Sequence, residues 1–418
     1  MPSGRAQALA QGFDLRALPP DFLANPYPVY AALQRDTPVR RMDDGSVFLT
    51  RYADLVQVYR DATTFSSDKR IEFAPKYGPQ SLLYEHHTHS LVFNDPPLHT
   101  RVRRLIMGAL TRRAIADMEP GLIALVDRLL DRIETQGGGD LIEDFAAAIP
   151  VDIIGNLLGV PHGDREPLRG WSLAILGALE PVLTPEQQAL GERSVRDFED
   201  YLRDLIAHRR RFPGDPEHDV LTRLIQGEEG GERLSSTELL HNCIFLLNAG
   251  HETTTNLIGN ALVCLHEWPA QKAGLLQRLH DEREQPEALE QTLALAVDEF
   301  LRFESSNQLG NRRAVSDCEV GGVRLSAGTL VTLCIGAANR DPAQFADAQQ
   351  LDLRRDPNRH LAFGFGIHQC AGLSLARLEG RIALGRFLGR LGHYTLSAPP
   401  RRGGRARFRG FLSAPFKV

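Results

Sequence analysis

Cys370 lies in "AFGFGIHQCAGLSLARLEGRIALGRFLGRL", between a turn with glycines at 364 and 366 and a long pattern of helical periodicity. A thiol at the start of a helix meets free backbone N–H groups and the positive end of the helix dipole, and both favour the thiolate. Gly364 and Gly366 allow a tight turn that brings N–H donors near the sulfur. Phe363 and Phe365 can shield it, and Gly372 leaves room for a flat object over the helix. A thiolate held in this way can ligate haem iron, where sulfur donation favours cleavage of the O–O bond. Two other readings compete. A buried structural cysteine needs no partner. A dinucleotide loop needs a third glycine where the chain has Gln369, and no βαβ pattern surrounds it.

Three more stretches carry chemistry. In "VDEFLRF", Glu299 and Arg302 stand three apart and share a helix face. In "LLNAGHETTTN", Gly250 and Thr253 to Thr255 are poor helix formers inside the longest helical pattern. A local opening there would leave a groove over Ala249 and Gly250, with the Thr253 hydroxyl beside the Glu252 carboxylate. In "NDPPLHTRVRRL", His99 and Arg103 are four apart on one face, cations suited to carboxylate groups. The cluster His86, His87 and His89 lacks a carboxylate or cysteine to complete a ligand set and reads as a polar loop.

The elements that must position these groups are mostly helices. Periodicity predicts them in "PGLIALVDRLLDRIE", "VRDFEDYLRDLIAHRRR", "STELLHNCIFLLNAGHETTTNLIGNALVCLHEW", "LEQTLALAVDEFLRF" and after Cys370. Strands are expected in "SVFLTRY", in "CEVGGVRLSAGTLVTLCI" with Gly-Gly at a hairpin, and in "HYTLS". The stretches "TQGGGDL", "RFPGDPEHD" and "QGEEGGERLSS" read as connecting loops. The 418 residues are 42% hydrophobic and 24% charged, a globular composition, and the net charge of −5 offers no basic footprint for nucleic acid. No signal peptide or membrane span is apparent, so a cytoplasmic protein is expected. Five cysteines without a C-x-x-C spacing argue against a disulfide framework or zinc ribbon, and Cys243, Cys264, Cys318 and Cys334 read as small buried hydrophobes.

"FGFGIHQCAG" resembles the haem-binding loop of the cytochromes P-450, with Phe363, Gly366, His368, Cys370 and Gly372 each on the family's pattern. The resemblance runs from about residue 25 to the C-terminus and implies a mainly α fold with minor β. One domain spans 25–418 behind an N-terminal extension, 1–24. It implies that Cys370 is the axial ligand of haem b, in a site with Ala249, Phe363, Gly364 and Gly372. His99, Arg103, Arg312 and His368 would meet the propionates, although Arg313 could take the place of Arg312. Glu299 and Arg302 become a buried pair tied to the meander "AANRDPAQFADAQQLDLRRDPNRHLAFGFG". Glu252 and Thr253 become the acid–alcohol pair that delivers protons to bound dioxygen. His251 falls where the family varies and is given no role.

The expected function is monooxygenation of a small, mainly hydrophobic organic substrate. Electrons would come from NAD(P)H through a ferredoxin reductase and a ferredoxin. Arg112, Arg113, Arg354, Arg355 and Arg359 are the candidates for meeting an acidic donor. The resemblance places Leu246, Leu247, Asn307, Gln308 and Phe411 at the substrate pocket, with the polar turn "ESSNQLGN" anchoring a polar end of the substrate. A peroxide-driven peroxygenase is the first alternative, and Glu252 with Thr253 speaks against it. A non-catalytic haem sensor or carrier is the second, and it would need no groove for dioxygen.

Overall fold

Local residues set the ends of the helices. Thr184 caps the helix Pro185–Arg211: its hydroxyl accepts from the Gln187 amide at 3.2 Å, and the Gln187 side chain accepts from the Thr184 amide at 2.9 Å. The two groups satisfy each other's otherwise orphaned donors. Pro286 opens the helix Pro286–Phe303, which has Glu287 in its first turn and Arg302 in its last, the order that suits the helix dipole. Gly321 and Gly322, at φ +56° and +80°, turn the hairpin that pairs Cys318–Val320 with Val323–Leu325.

A computed structural model describes residues 1–216, 219–227 and 233–418. The loops expected at "RFPGDPEHD" and "QGEEGGERLSS" lie partly outside the described residues. Helices dominate and strands are short, as the periodicity predicts. The chain divides into two units interleaved along the sequence. Met1–Phe65, Ile123–Ala147 and Thr253–Val418 form the first, and Ser66–Leu122 with Ala148–Glu252 form the second.

The first unit is built around a sheet in which Val39–Arg41, Val47–Leu49, Leu330–Cys334 and Leu309–Ala314 lie side by side, with Phe65–Ser66 at the edge. Val47 and Leu49 pair in parallel with Val331 and Leu333, and Leu309 pairs antiparallel with Cys334. Val47, Leu49, Val331 and Leu333 pack with Leu55, Val58 and Tyr59 of the helix Tyr52–Arg60. Phe48, Leu309 and Cys334 pack instead with Phe22, Tyr30 and Leu33. Both faces of the central strands are therefore covered, which is why they read as apolar runs rather than alternating ones. Each fully buried Leu or Val adds about 2 kcal/mol. Residues 1–24, expected as an extension, supply Ala6, Ala10, Phe13 and Phe22 to this core.

The second unit is helical. Trp171 of the helix Glu166–Gly177 sets its ring 4.9 Å from that of Phe198 on Pro185–Arg211. Phe73, Tyr77, His87 and Phe93 form an aromatic cluster with neighbouring centroids 5.1 to 5.6 Å apart. The longest helix, Ser236–Glu267, contributes its residues up to Glu252 to this unit. Among the described residues, no helix is long and apolar enough to cross a membrane.

Candidate functional site

The loop that carries Cys370 is shaped by backbone bonds and two left-handed glycines. The Gly364 amide donates to the Leu361 carbonyl at 2.8 Å, the Gln369 amide to Gly366 at 3.0 Å, and the Cys370 amide to Phe363 at 2.9 Å. Gly364 and Gly366 sit at φ +66° and +74°. A side chain at Gly366 would bring its Cβ within 2.3 Å of the Tyr59 carbonyl oxygen, so glycine is required there twice over, by φ and by space. Phe365 lies under the Arg60 guanidinium at 5.4 Å, and Phe363 lies 4.9 Å from that of Arg377. The following helix is Leu373–Leu391 with Gly372 as its N-cap, so Cys370 precedes the cap by two residues rather than opening the helix.

Asp298, Glu299 and Arg302, on one helix, tie this loop to the meander before it. Glu299 and Arg302 are fully buried, paired through Nε at 2.7 Å and Nη2 at 2.8 Å. The guanidinium also donates to the carbonyls of Asn339, Ala348 and Gln350, each at 2.9 Å. The carboxylate accepts from the Asp352 amide at 2.8 Å, and from Arg355 Nε and Asn358 Nδ2, both at 3.1 Å. Such satisfaction is what makes a buried ion pair tolerable. Asn339 passes the tie onward, accepting from the Leu361 amide at 2.6 Å and donating to Ser305 Oγ at 2.7 Å. Asp298 bridges His360 at 3.4 Å and Arg377 at 2.8 Å. Burial alone would raise its pKa, but the bonds from His360 and Arg377 hold it below the usual value.

Arg355 was expected among the exposed cations facing an electron donor. Its side chain is instead mostly buried on Glu299, with Nη1 on the Ala346 carbonyl at 2.8 Å. Arg355, Asn339 and Asp298 are the residues that the sequence reading did not place in the network. The only available signal was the proximity of "RRDPN" to the Cys loop, which does not say which of Arg354 and Arg355 turns inward.

The long helix is continuous from Ser236 to Glu267, so the expected local opening at Gly250 is not an interruption of the helix. Gly250 has another reason to lack a side chain: a Cβ there would meet Ile154 at 2.5 Å. Ala249 is half-buried and Glu252 is buried, whereas His251 is buried enough for desolvation to press its imidazole down to about 3, with Arg169 adding repulsion. The Thr253 carbonyl accepts from Ser306 Oγ at 2.9 Å, a second bond for a main-chain oxygen in the middle of a helix. Asn260, two turns on, donates to the Glu304 and Arg409 carbonyls at 3.2 and 3.0 Å.

The remaining candidates are distributed as follows. In the first unit, Arg312 lies on the buried side of its strand with its guanidinium 5.4 Å from the Tyr59 ring, while Arg313 reaches the Gly328 carbonyl at 2.5 Å. Neighbouring strand residues point to opposite faces, which separates their roles. Gln308 is buried and donates to the Ser305 carbonyl at 2.7 Å and to the Tyr27 hydroxyl at 3.4 Å. Its neighbour Asn307 has a buried Oδ1 with no hydrogen-bond donor among the described residues. Phe411 is buried beneath the Arg402 guanidinium at 3.9 Å, and His368 ends the short helix Gly366–His368. In the second unit, His99 is buried and Arg103 half-buried on Leu98–Ala109, and Leu246 and Leu247 are buried on the long helix. The neighbouring Arg101 pairs with Glu238.

Among the described residues no group of His, Cys, Asp and Glu could hold a metal ion by itself. His86, His87 and His89, expected in a polar loop, lie instead on the helix Leu82–His89, with His86 and His87 buried. The donor set of the first unit does fit a haem. Cys370 is a partly exposed thiol outside any disulfide, and open space stands where a Gly372 side chain would be. Cys243 and Cys334 differ: burial pushes both thiols up to about 12. Cys318, expected to be buried, is only half so.

The family model described as Cytochrome P450 matches residues 172–411. The chain is 35% identical over 377 residues to the biotin biosynthesis cytochrome P450 of Bacillus subtilis (strain 168), covering 89% of this chain and 90% of that protein. It is 37% identical over 378 residues to the vitamin D(3) 25-hydroxylase of Pseudonocardia autotrophica, covering 88% and 86%. The structure of P450BioI in complex with hexadec-9Z-enoic acid ligated acyl carrier protein superposes with a TM-score of 0.86 at 32% identity, covering 95% of this chain and 99% of that one.

Proposed function

The chain belongs to the cytochrome P450 family and is a P450 monooxygenase, and from that premise we propose that Cys370 holds a haem b as its thiolate ligand within a domain spanning 25–418. In this reading His99, Arg103, Arg312 and His368 neutralise the propionates, and Ala249, Phe363, Gly364 and Gly372 border the macrocycle. When bound, the haem supplies the iron at which dioxygen is activated, one oxygen atom entering the substrate and the other leaving as water.

The chain's own residues supply the rest. The Cys370 loop fixes the sulfur, and Glu299 with Arg302 keeps the meander and that loop assembled. Glu252 takes up protons from water and passes them to the Thr253 hydroxyl, which donates toward the oxygen-binding space over Ala249. The Ser306 bond to the Thr253 carbonyl keeps that turn of helix in one position. Leu246, Leu247 and Phe411 exclude water around a small, mainly hydrophobic organic substrate. The orphaned acceptor Asn307 Oδ1 is suited to a hydroxyl or amide on that substrate. Electrons arrive singly from a ferredoxin served by an NAD(P)H-dependent ferredoxin reductase in the cytoplasm. The exposed Arg112, Arg113, Arg354 and Arg359 are the cations offered to its acidic surface.

The observation that carries the reading is the loop itself: two left-handed glycines, one backed directly against the Tyr59 carbonyl, hold the partly exposed Cys370 two residues before a glycine with open space at its side-chain position. The test is turnover of small hydrophobic acids and terpenoids with ferredoxin, reductase and NAD(P)H. Oxygenated product is expected, and Thr253→Ala should retain substrate binding while diverting electrons to hydrogen peroxide. Product formed only with added hydrogen peroxide would favour the peroxygenase instead.

A further inference from the structure

Within the second unit, a cavity of about 350 Å³ has Glu85, Glu199, Arg203, Arg210 and His241 in its walls. Glu199 and His241 are buried, at 4% and 1% exposure. Glu199 Oε2 accepts from Arg203 Nη2 at 2.6 Å, while its Oε1 has no donor among the described residues. His241 Nε2 faces Glu85 Oε1 at 3.7 Å, and its Nδ1 lies 3.9 Å from Glu199 Oε1. A carboxylate opposite Nε2 favours the tautomer with the proton there and leaves Nδ1 as an acceptor. Burial, together with repulsion from the stacked His89, presses the His241 pKa down to about 4, so the ring is neutral at pH 7. His86, also ring to ring with His241 and pushed down by burial, adds no charge.

Two buried acceptors thus stand 3.9 Å apart with no donor between them among the described residues. One nitrogen placed about 2.8 Å from each would satisfy both. The other end of the cavity has the opposite character. Arg210 lies eleven residues beyond Glu199 on the same helix, an axial separation of about 16 Å at the helical rise. Ser236 and Thr237, also in the wall, are the first residues of the long helix, where backbone N–H groups favour an anion. Between the two ends the wall is apolar, with Ile206, Leu239 and Leu240. The two carboxylates balance the two guanidiniums, so a ligand without net charge is preferred.

We infer that this cavity is a binding site for a linear zwitterion, its ammonium between Glu199 and His241 and its carboxylate at Arg210, with methylenes along Ile206, Leu239 and Leu240. The site is separate from the haem reading and needs no haem for its test. Calorimetric titration of the purified full chain with 6-aminohexanoate, hexylamine and hexanoate reads it directly. Binding of 6-aminohexanoate, at least about tenfold tighter than either single-ended probe, is expected. Glu199→Gln and Arg210→Met should each weaken it about tenfold, while the visible haem spectrum stays unchanged. Arg210 is exposed on its helix, so its variant keeps the test valid if Glu199→Gln folds poorly. No heat with 6-aminohexanoate, equal affinity for hexylamine, or unaltered binding in Arg210→Met would overturn the proposal and show that the cavity holds water only.

Discussion

Arg355 Nε lies 3.1 Å from Glu299 Oε2, on a carboxylate whose other oxygen already takes Arg302 and the Asp352 amide. One carboxylate therefore gathers the helix Pro286–Phe303 and the segment that leads into the Cys370 loop. Removing one partner of such a pair leaves the others under-compensated and typically costs about 3–5 kcal/mol. Arg355→Ala should lower the fraction of chain that retains haem and lower the melting temperature, measured as the ratio of haem to protein absorbance and by calorimetry. Wild-type haem content and melting in that variant would mean that the arginine is only a surface charge.

Gly366 and Gly364 offer a matched comparison, because both are left-handed but only one is crowded. At Gly366 the new Cβ would stand 2.3 Å from the Tyr59 oxygen, whereas at Gly364 the nearest atom, the His368 oxygen, is 3.9 Å away. Gly364→Ala should cost about 1–2 kcal/mol from φ alone. Gly366→Ala should add an overpacking cost of about 1–3 kcal/mol and loosen the loop. Urea unfolding of the two variants checks the order, which equal costs would contradict.

Asn307 and Gln308 should separate binding from stability. Asn307→Leu removes an acceptor that has no internal donor among the described residues, so substrate affinity should fall by about tenfold with little change in melting. Gln308→Leu breaks the bonds to Ser305 and Tyr27 and should instead lower stability by about 1–3 kcal/mol. Substrate titration by spin-state change and thermal melting distinguish the two. Unchanged affinity in Asn307→Leu would remove this residue from the pocket.

Glu379 predicts a pH dependence. Its carboxyl is buried, Oε2 has no partner among the described residues, and burial pushes its pKa up to about 8. Between the ordinary value of about 4.3 and that raised one, the folded state holds a proton that the unfolded state has released, so stability falls as pH rises through this window. Glu379→Gln removes the titration. Its advantage over the wild type should grow from pH 5 to pH 8, up to about 4 kcal/mol. Parallel pH profiles of melting would count against the buried neutral carboxyl.

What the sequence disclosed was largely local. The Gly321-Gly322 hairpin, the helices and the turn around Cys370 depend on neighbours within a few residues, and there φ preferences and periodicity speak directly. Contacts between distant segments were harder to read. Val47 pairs with Val331, 284 residues further along the chain, and nothing in either strand names the other. Arg354 and Arg355 are chemically identical neighbours, and only the approach of Glu299 turns one inward. Gln308 appeared in a polar turn suited to a ligand, yet Gly336, where a Cβ would come within 1.9 Å of the Gln308 amide oxygen, belongs to its packing. His241, invisible as a site in the sequence, matters because Glu85 and Glu199 come from two other helices.

The role of Cys370 is tested most directly by the absorption spectrum of the reduced, carbon-monoxide-bound protein, recorded for the wild type and for Cys370→Ala. The wild type should show the signature of thiolate-ligated haem, and the variant should lose it while keeping its helical circular dichroism. An unchanged thiolate spectrum in the variant, or an imidazole-type spectrum in the wild type, would contradict the assignment.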